Sequence, residues 1–238
     1  MGFRSLAAAL ALAATVAAPF EVARTDGMPL SFGGVRVTVD VDSVAERRWS
    51  MVVRQQLDFS CGSAAVATLL TYLYEWPTDE ATVFDAMFAA GDQTLIRRQG
   101  FSMLDMQRYL AGIGFRSDGF QVTLEQLAEQ RAPAIVLINY HGYHHFVVVL
   151  GITPDEVLVA NPAFGLQRYD RAEFQAMMAS NVIFAIRNGI NVARRNWSPD
   201  AAWAAVPRAP MTAGLDRDGI DTLLTLPSGL ATSGFRMP

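Results

Sequence analysis

Cys61 is the single cysteine of the chain and lies in "RQQLDFSCGSAAVATLL", directly ahead of a small and apolar run. Thiol catalysis needs a thiolate, a base, a group that orients the base, and donors for an oxyanion. Asp58 and Ser60 are candidate caps for a helix that starts at Cys61, so the helix dipole is expected to lower the thiol pKa. Gly62, Ser63 and Ala64 are small enough to let a substrate carbonyl approach the backbone N–H groups. All three histidines fall in "YHGYHHFVVVLG", at His141, His144 and His145. Strand alternation puts His145 on the face of Val147 and Val149 and His144 on the other, so one of the pair can face a site. His141 and His145 would share a face only on a helix. The stretch is β-branched, so these residues are read as the source of a base and not as a metal site. No cofactor motif is present. Asn161 ends the next apolar run, before Pro162, where it can accept from an imidazole N–H or simply make a turn. Gln55, six residues before the thiol, suits an oxyanion donor. Gln56 competes with it, and spacing does not choose between them.

These residues need elements to hold them. From Cys61 to about Trp76 the apolar spacing predicts a helix that Pro77 closes. Further helices are expected over "DEATVFDAMFAAG", over "MLDMQRYLAGIG" after Ser102, and over "LEQLAEQ" behind a Thr123/Gln126 capping box. The period then changes. "APAIVLINY", "HHFVVVLGI" and "EVLVANP" read as an antiparallel meander, "RAEFQAMM" as a short helix capped by Asp170 with Glu173, and "NVIFAIR" as a last strand. Helices first and strands afterwards indicate an α+β fold. Val35, Val37, Val39 and Val41 alternate within "MPLSFGGVRVTVDVDSVAERRWSMVV", which predicts a strand or hairpin leading into the main domain, with a turn at Gly33-Gly34.

The N-terminus has the pattern of a secretory signal: Arg4, an apolar run from Leu6 to Ala18, and small residues at "TVAAP". The expected layout is a signal peptide over 1–18, an extension with a strand over 19–50, a main domain over 51–189 and a weakly structured extension over 190–238. The mature protein is read as soluble and periplasmic. An oxidising compartment leaves the lone Cys61 without an internal partner, which leaves an intermolecular bridge, a reactive thiol or a buried structural cysteine as its readings. A net charge of −4 without basic runs gives no footprint for nucleic acid or an anionic membrane surface.

"RQQLDFSCGSAAVATLL", "HFVVVLG" and "VLVANPAFG" together resemble the C39 family of papain-like cysteine peptidases, over about Val53 to Arg187. The family pattern has a Gln six residues before Cys-Gly, a His opening a hydrophobic strand, and an Asp-Pro 16 residues after that His. The resemblance implies Gln55 as oxyanion donor, Cys61 as nucleophile and His145 as base. Asn161-Pro162 stands in the Asp-Pro place. It also implies a papain-like fold, with N-terminal helices packed on an antiparallel sheet, and cleavage of a peptide or protein substrate at Gly-Gly-type sites. "DFSCGSAAVATLLTY" and "IRRQGFSMLDM" resemble the stand-alone periplasmic members encoded with functional-amyloid secretion systems. Asn161 orients a ring but adds no negative charge. A non-catalytic peptide-binding or secretion-accessory module is therefore the alternative, and acyl transfer on the same triad a third reading. Self-processing at Gly33-Gly34 is a minor reading, because no amphipathic leader helix precedes it.

Overall fold

Side-chain caps at Ser43, Asp79, Asp92, Ser102 and Thr123, more than long apolar periods, decide where the helices that follow them begin. The computed structural model describes residues 28–32, 35–39, 42–140 and 142–207. The signal sequence, Gly33-Gly34, Val41, His141 and everything past residue 207 lie outside these residues. β1 (Met28–Phe32) and β2 (Val35–Val39) pair antiparallel, with Leu30 opposite Val37, as a unit by themselves. From Asp42, where the described residues resume, the stretch read as strand is helical instead. Val44–Trp49 forms helix α1, because Ser43 and Glu46 close a capping box that the valine alternation obscured.

The main unit starts at Asp42. Helix α2 (Cys61–Thr68) runs on as a π-helical turn over Leu69–Leu73. Helix α3 (Glu80–Ala90) is capped by Asp79. Helix α4 (Gln93–Gln99) was not expected; the Asp92 carboxylate accepts from the Thr94 and Leu95 N–H groups to start it. Helix α5 (Met103–Gly112) begins in a Ser102/Asp105 capping box. After strand β3 (Ser117–Gln121), helix α6 (Leu124–Gln130) starts at the expected Thr123/Gln126 box.

The meander is β4 (Ala134–Tyr140), β5 (Tyr143–Ile152) and β6 (Glu156–Asn161), extended by β7 (Gly165–Asp170). Helix α7 (Arg171–Met177) and strand β8 (Met178–Ile186) follow. Asp170 heads α7 but makes no side-chain cap bond, contrary to the capping expectation. Six strands form one antiparallel sheet in the order β3-β8-β4-β5-β6-β7. The fold is α+β, as the order of periodicities implied.

Alternation along β5 builds two cores. Phe146, Val148 and Leu150 pack with α2, α3 and α5 residues such as Val66, Met87 and Met106. Val147 and Val149 pack on the other face with Leu124 and Leu127 of α6 and Phe174 of α7. The helices before the sheet thus cover one face, while α6 and α7 cover the other.

Residues 190–207 correct the expectation of a weakly structured tail. They form α8 (Ile190–Arg195) and α9 (Asp200–Ala205). Ala193, Ala202 and Ala205 join the first core and Trp197 the second. Gly151 makes room for this segment: a Cβ there would sit 2.8 Å from Ser198 Oγ and 2.9 Å from its Cα. The Ser198 N–H donates to the Leu150 carbonyl at 2.7 Å. Among the described residues, no helix is long and apolar enough to cross a membrane.

Candidate active site

Cys61 opens α2 through a turn, and the expected side-chain cap is not what holds it. Ser60 makes no side-chain cap bond; its Oγ donates to the Leu57 carbonyl and accepts the Leu57 N–H, fixing the loop ahead of the thiol. The Val53 N–H donates to Thr68 Oγ1 and ties that loop to the body of α2. Every residue of α2 is buried. Gly62 is small for a packing reason: a Cβ there would meet Phe101 Cβ at 2.9 Å and Met106 Cε at 3.0 Å. Packing against Phe101 and Met106 is by itself enough to require a glycine there.

The sulphur lies against the backbone amides of Phe146, Gly62 and Cys61 itself. Phe146 directly follows His145, so β5 brings the histidine strand to the head of α2. Those amides favour thiolate, but burial outweighs them and pushes the Cys61 thiol up from its ordinary value. This reverses the expected direction. A helix N-terminus is a weak dipole against the loss of water around a residue that is only 5% exposed.

His145 is the buried member of the histidine pair, and His144 is exposed. His145 Nε2 lies 2.8 Å from Asn161 Oδ1. Asn161 Oδ1 also accepts the Ala163 backbone N–H at 3.0 Å, so it is the oxygen, not the nitrogen, that faces the ring. The Nε2–H therefore donates to Asn161, and Nδ1 is left as the basic nitrogen. Burial lowers the His145 pKa, and the bond to Asn161 offsets part of that shift. Burial thus works against charge on both Cys61 and His145.

Gln55 belongs to the same assembly. Its N–H donates to the Pro162 carbonyl at 3.1 Å, joining it to the turn after Asn161. Its side-chain Nε2 donates to the Leu57 carbonyl at 3.0 Å and retains a second hydrogen. Gln56 is exposed and donates only to the Arg54 carbonyl. The geometry therefore favours Gln55 where spacing left two choices.

Two cavities meet here. One of about 1100 Å³ is bordered by Cys61, Phe59, Leu104, His144 and Phe146. The other, of about 370 Å³, is bordered by His145, Gln55, Tyr140, Ala163 and Phe164. Asp58 and Tyr143 border both, and the Tyr143 hydroxyl donates to the Asp58 carbonyl at 2.7 Å. His144 borders the cysteine side, yet only His145 has an orienting side chain. Among the described residues, no three His, Cys, Asp or Glu side chains are grouped to hold a metal ion.

Sequence reasoning missed Gln167 and Tyr169. Asn161 Nδ2 donates to Gln167 Oε1 at 2.8 Å, and the Tyr169 hydroxyl donates to the same oxygen at 2.8 Å. The available signal was their period-two spacing on β7, a strand too short and polar to be read as one.

The profile of the peptidase C39 family matches residues 49–188. "Probable functional amyloid protease FapD" of Pseudomonas aeruginosa is 43% identical over 164 residues, which cover 69% of this chain and 72% of that protein. The protein of the same name from Pseudomonas fluorescens is 41% identical, over 65% of this chain and 68% of its own length. Among solved structures, a double glycine motif protease from an AMS/PCAT transporter in complex with the leader peptide is similar. It is 22% identical with a TM-score of 0.47, covering 57% of this chain and 89% of that one.

Proposed function

The chain belongs to the peptidase C39 family, and from that premise we propose that it is an exported cysteine endopeptidase acting through Cys61, His145, Asn161 and Gln55. The observation that carries this reading is the bond from His145 Nε2–H to Asn161 Oδ1, because it leaves Nδ1 as the base.

The sulphur attacks the scissile carbonyl carbon as Nδ1 takes the thiol proton, so the neutral resting pair becomes charged only as the bond forms. Gln55 Nε2–H and the Cys61 backbone N–H receive the oxyanion. Collapse of the tetrahedral species breaks the C–N bond, and His145 gives its Nδ1 proton to the leaving amine. A water then attacks the thioester with His145 again taking a proton. That proton returns to sulphur as the carboxylic acid leaves.

The same steps assign the two cavities. The acyl half stays on Cys61 and occupies the larger one. The amine half departs beside His145 and Gln55, past Tyr140 and Phe164.

The signal-like N-terminus supports export to the periplasm. Likeness to proteins named functional amyloid proteases supports a substrate among the components of a functional-amyloid system; cleavage at Gly-Gly-type sites is the expectation from the family resemblance. Complementation tests this reading. In a host lacking its own copy, the wild-type chain restores processing of the secreted component and Cys61→Ala does not. Equal rescue by both would replace catalysis with the peptide-binding, accessory role.

A further inference from the structure

We propose that Gln167, held by Tyr169, is a positioning residue that locks the Asn161 amide and through it a single tautomer of His145. The inference rests on the Cys61–His145 reading above and extends it to the next strand.

One donor in this network cannot turn over. The Ala163 N–H belongs to the backbone of the β6–β7 turn and points at Asn161 Oδ1. The oxygen of Asn161 must therefore face Ala163 and His145, and its Nδ2 must face β7. Gln167 meets that N–H with Oε1. Were Gln167 reversed, its own N–H groups would confront those of Asn161. The Tyr169 hydroxyl then donates to Oε1 from the far side. Burial pushes the Tyr169 pKa up to about 12, so this hydroxyl keeps its proton across the working range.

The chain of bonds thus has one direction, from Tyr169 and Asn161 into Gln167 Oε1, and from His145 and Ala163 into Asn161 Oδ1. Asn161 is 1% exposed, so water does not substitute for a missing acceptor. Gln167, Tyr169 and Asn161 sit on the same face of adjacent strands, with Gln167 opposite Val159 and Tyr169 opposite Val157. Rigid paired strands therefore hold the network. Without Gln167 the Asn161 Nδ2 is left unpaired, and the amide loses the contact on β7 that opposes rotation. His145 then loses its fixed ring plane and its preference for Nε2–H.

The test compares wild type, Gln167→Leu, Gln167→Glu and Tyr169→Phe by ¹⁵N NMR of labelled histidine and by turnover. Glu retains an acceptor at the same place, while Leu removes it. Wild type and Gln167→Glu are expected to show the Nε2–H form alone. Gln167→Leu is expected to show mixed tautomers and a kcat about 10- to 100-fold lower with KM little changed, the range seen when the partner orienting a ligand histidine is lost. Tyr169→Phe falls between and gives a second route should Gln167→Leu not fold. An unchanged Nε2–H signal in the Leu variant, or in Tyr169→Phe if that variant alone folds, overturns the inference. The NMR signal separates the two proposals: a single Nε2–H form in a wild-type chain that cleaves nothing, with mixing in Gln167→Leu, would sink the peptidase reading and leave this one standing.

Discussion

At the residue scale the site is a set of buried groups whose hydrogen bonds run in one direction. His145 and His144 are adjacent, and both border a cavity of the cleft, but only His145 is oriented. His145→Ala is therefore expected to lower turnover about 100- to 10,000-fold, the span of general acid–base contributions. His144→Ala is expected to leave kcat within a few-fold. Steady-state kinetics on both variants checks this, and the reverse order would reassign the base. The pH profile follows from the two shifts. The productive pair is neutral thiol with neutral imidazole, so activity appears above the His145 pKa and fades above the Cys61 pKa. The first is lowered from 6.5 and the second raised from 9.0, which gives a broad plateau. Asn161→Asp places a carboxylate beside the ring, favours imidazolium, and moves the acid limb of kcat/KM to higher pH. A limb that stays put or moves down would contradict the assigned contact.

At the element scale, the helices that announced themselves by caps were the legible ones. Thr123/Gln126 and Ser102 mark α6 and α5, and the β-branched runs mark β4 to β6. The misses have physical causes. The Ser43/Glu46 box of α1 follows a valine alternation that masks it, α4 is too short and charged to show an apolar period, and β3 and β7 are short strands at the two edges of the sheet. Cys61 begins α2, Asn161 ends β6 and His145 lies near the start of β5, so the sequence pattern put these three candidates on recognisable elements. Gln167 was not, because its role comes from register across β6 and β7. The thiol shift was misjudged because burial of α2 on every side is a tertiary property. Gly62 tests that packing. Gly62→Ala drives a methyl into Phe101 and Met106 and is expected to cost about 1–3 kcal/mol by chemical denaturation. A neutral result would return Gly62 to the substrate-access role first expected of it.

At the scale of the whole molecule, the folded unit runs past the family match. Trp197 lies outside residues 49–188 yet is 6% exposed in the second core. Trp197→Ala is expected to cost about 3–5 kcal/mol and lower Tm accordingly. A loss below about 1 kcal/mol would mean that the segment merely rests on the sheet. The central claim, that the assembled groups cut peptide bonds, is tested most directly on a proteome-derived peptide library. New amino termini are read by mass spectrometry for the wild type and for Cys61→Ala. The account predicts new termini with the wild type, at a common sequence motif, and none with Cys61→Ala. Equal sets of termini from both proteins, or none from a folded wild type, would contradict it.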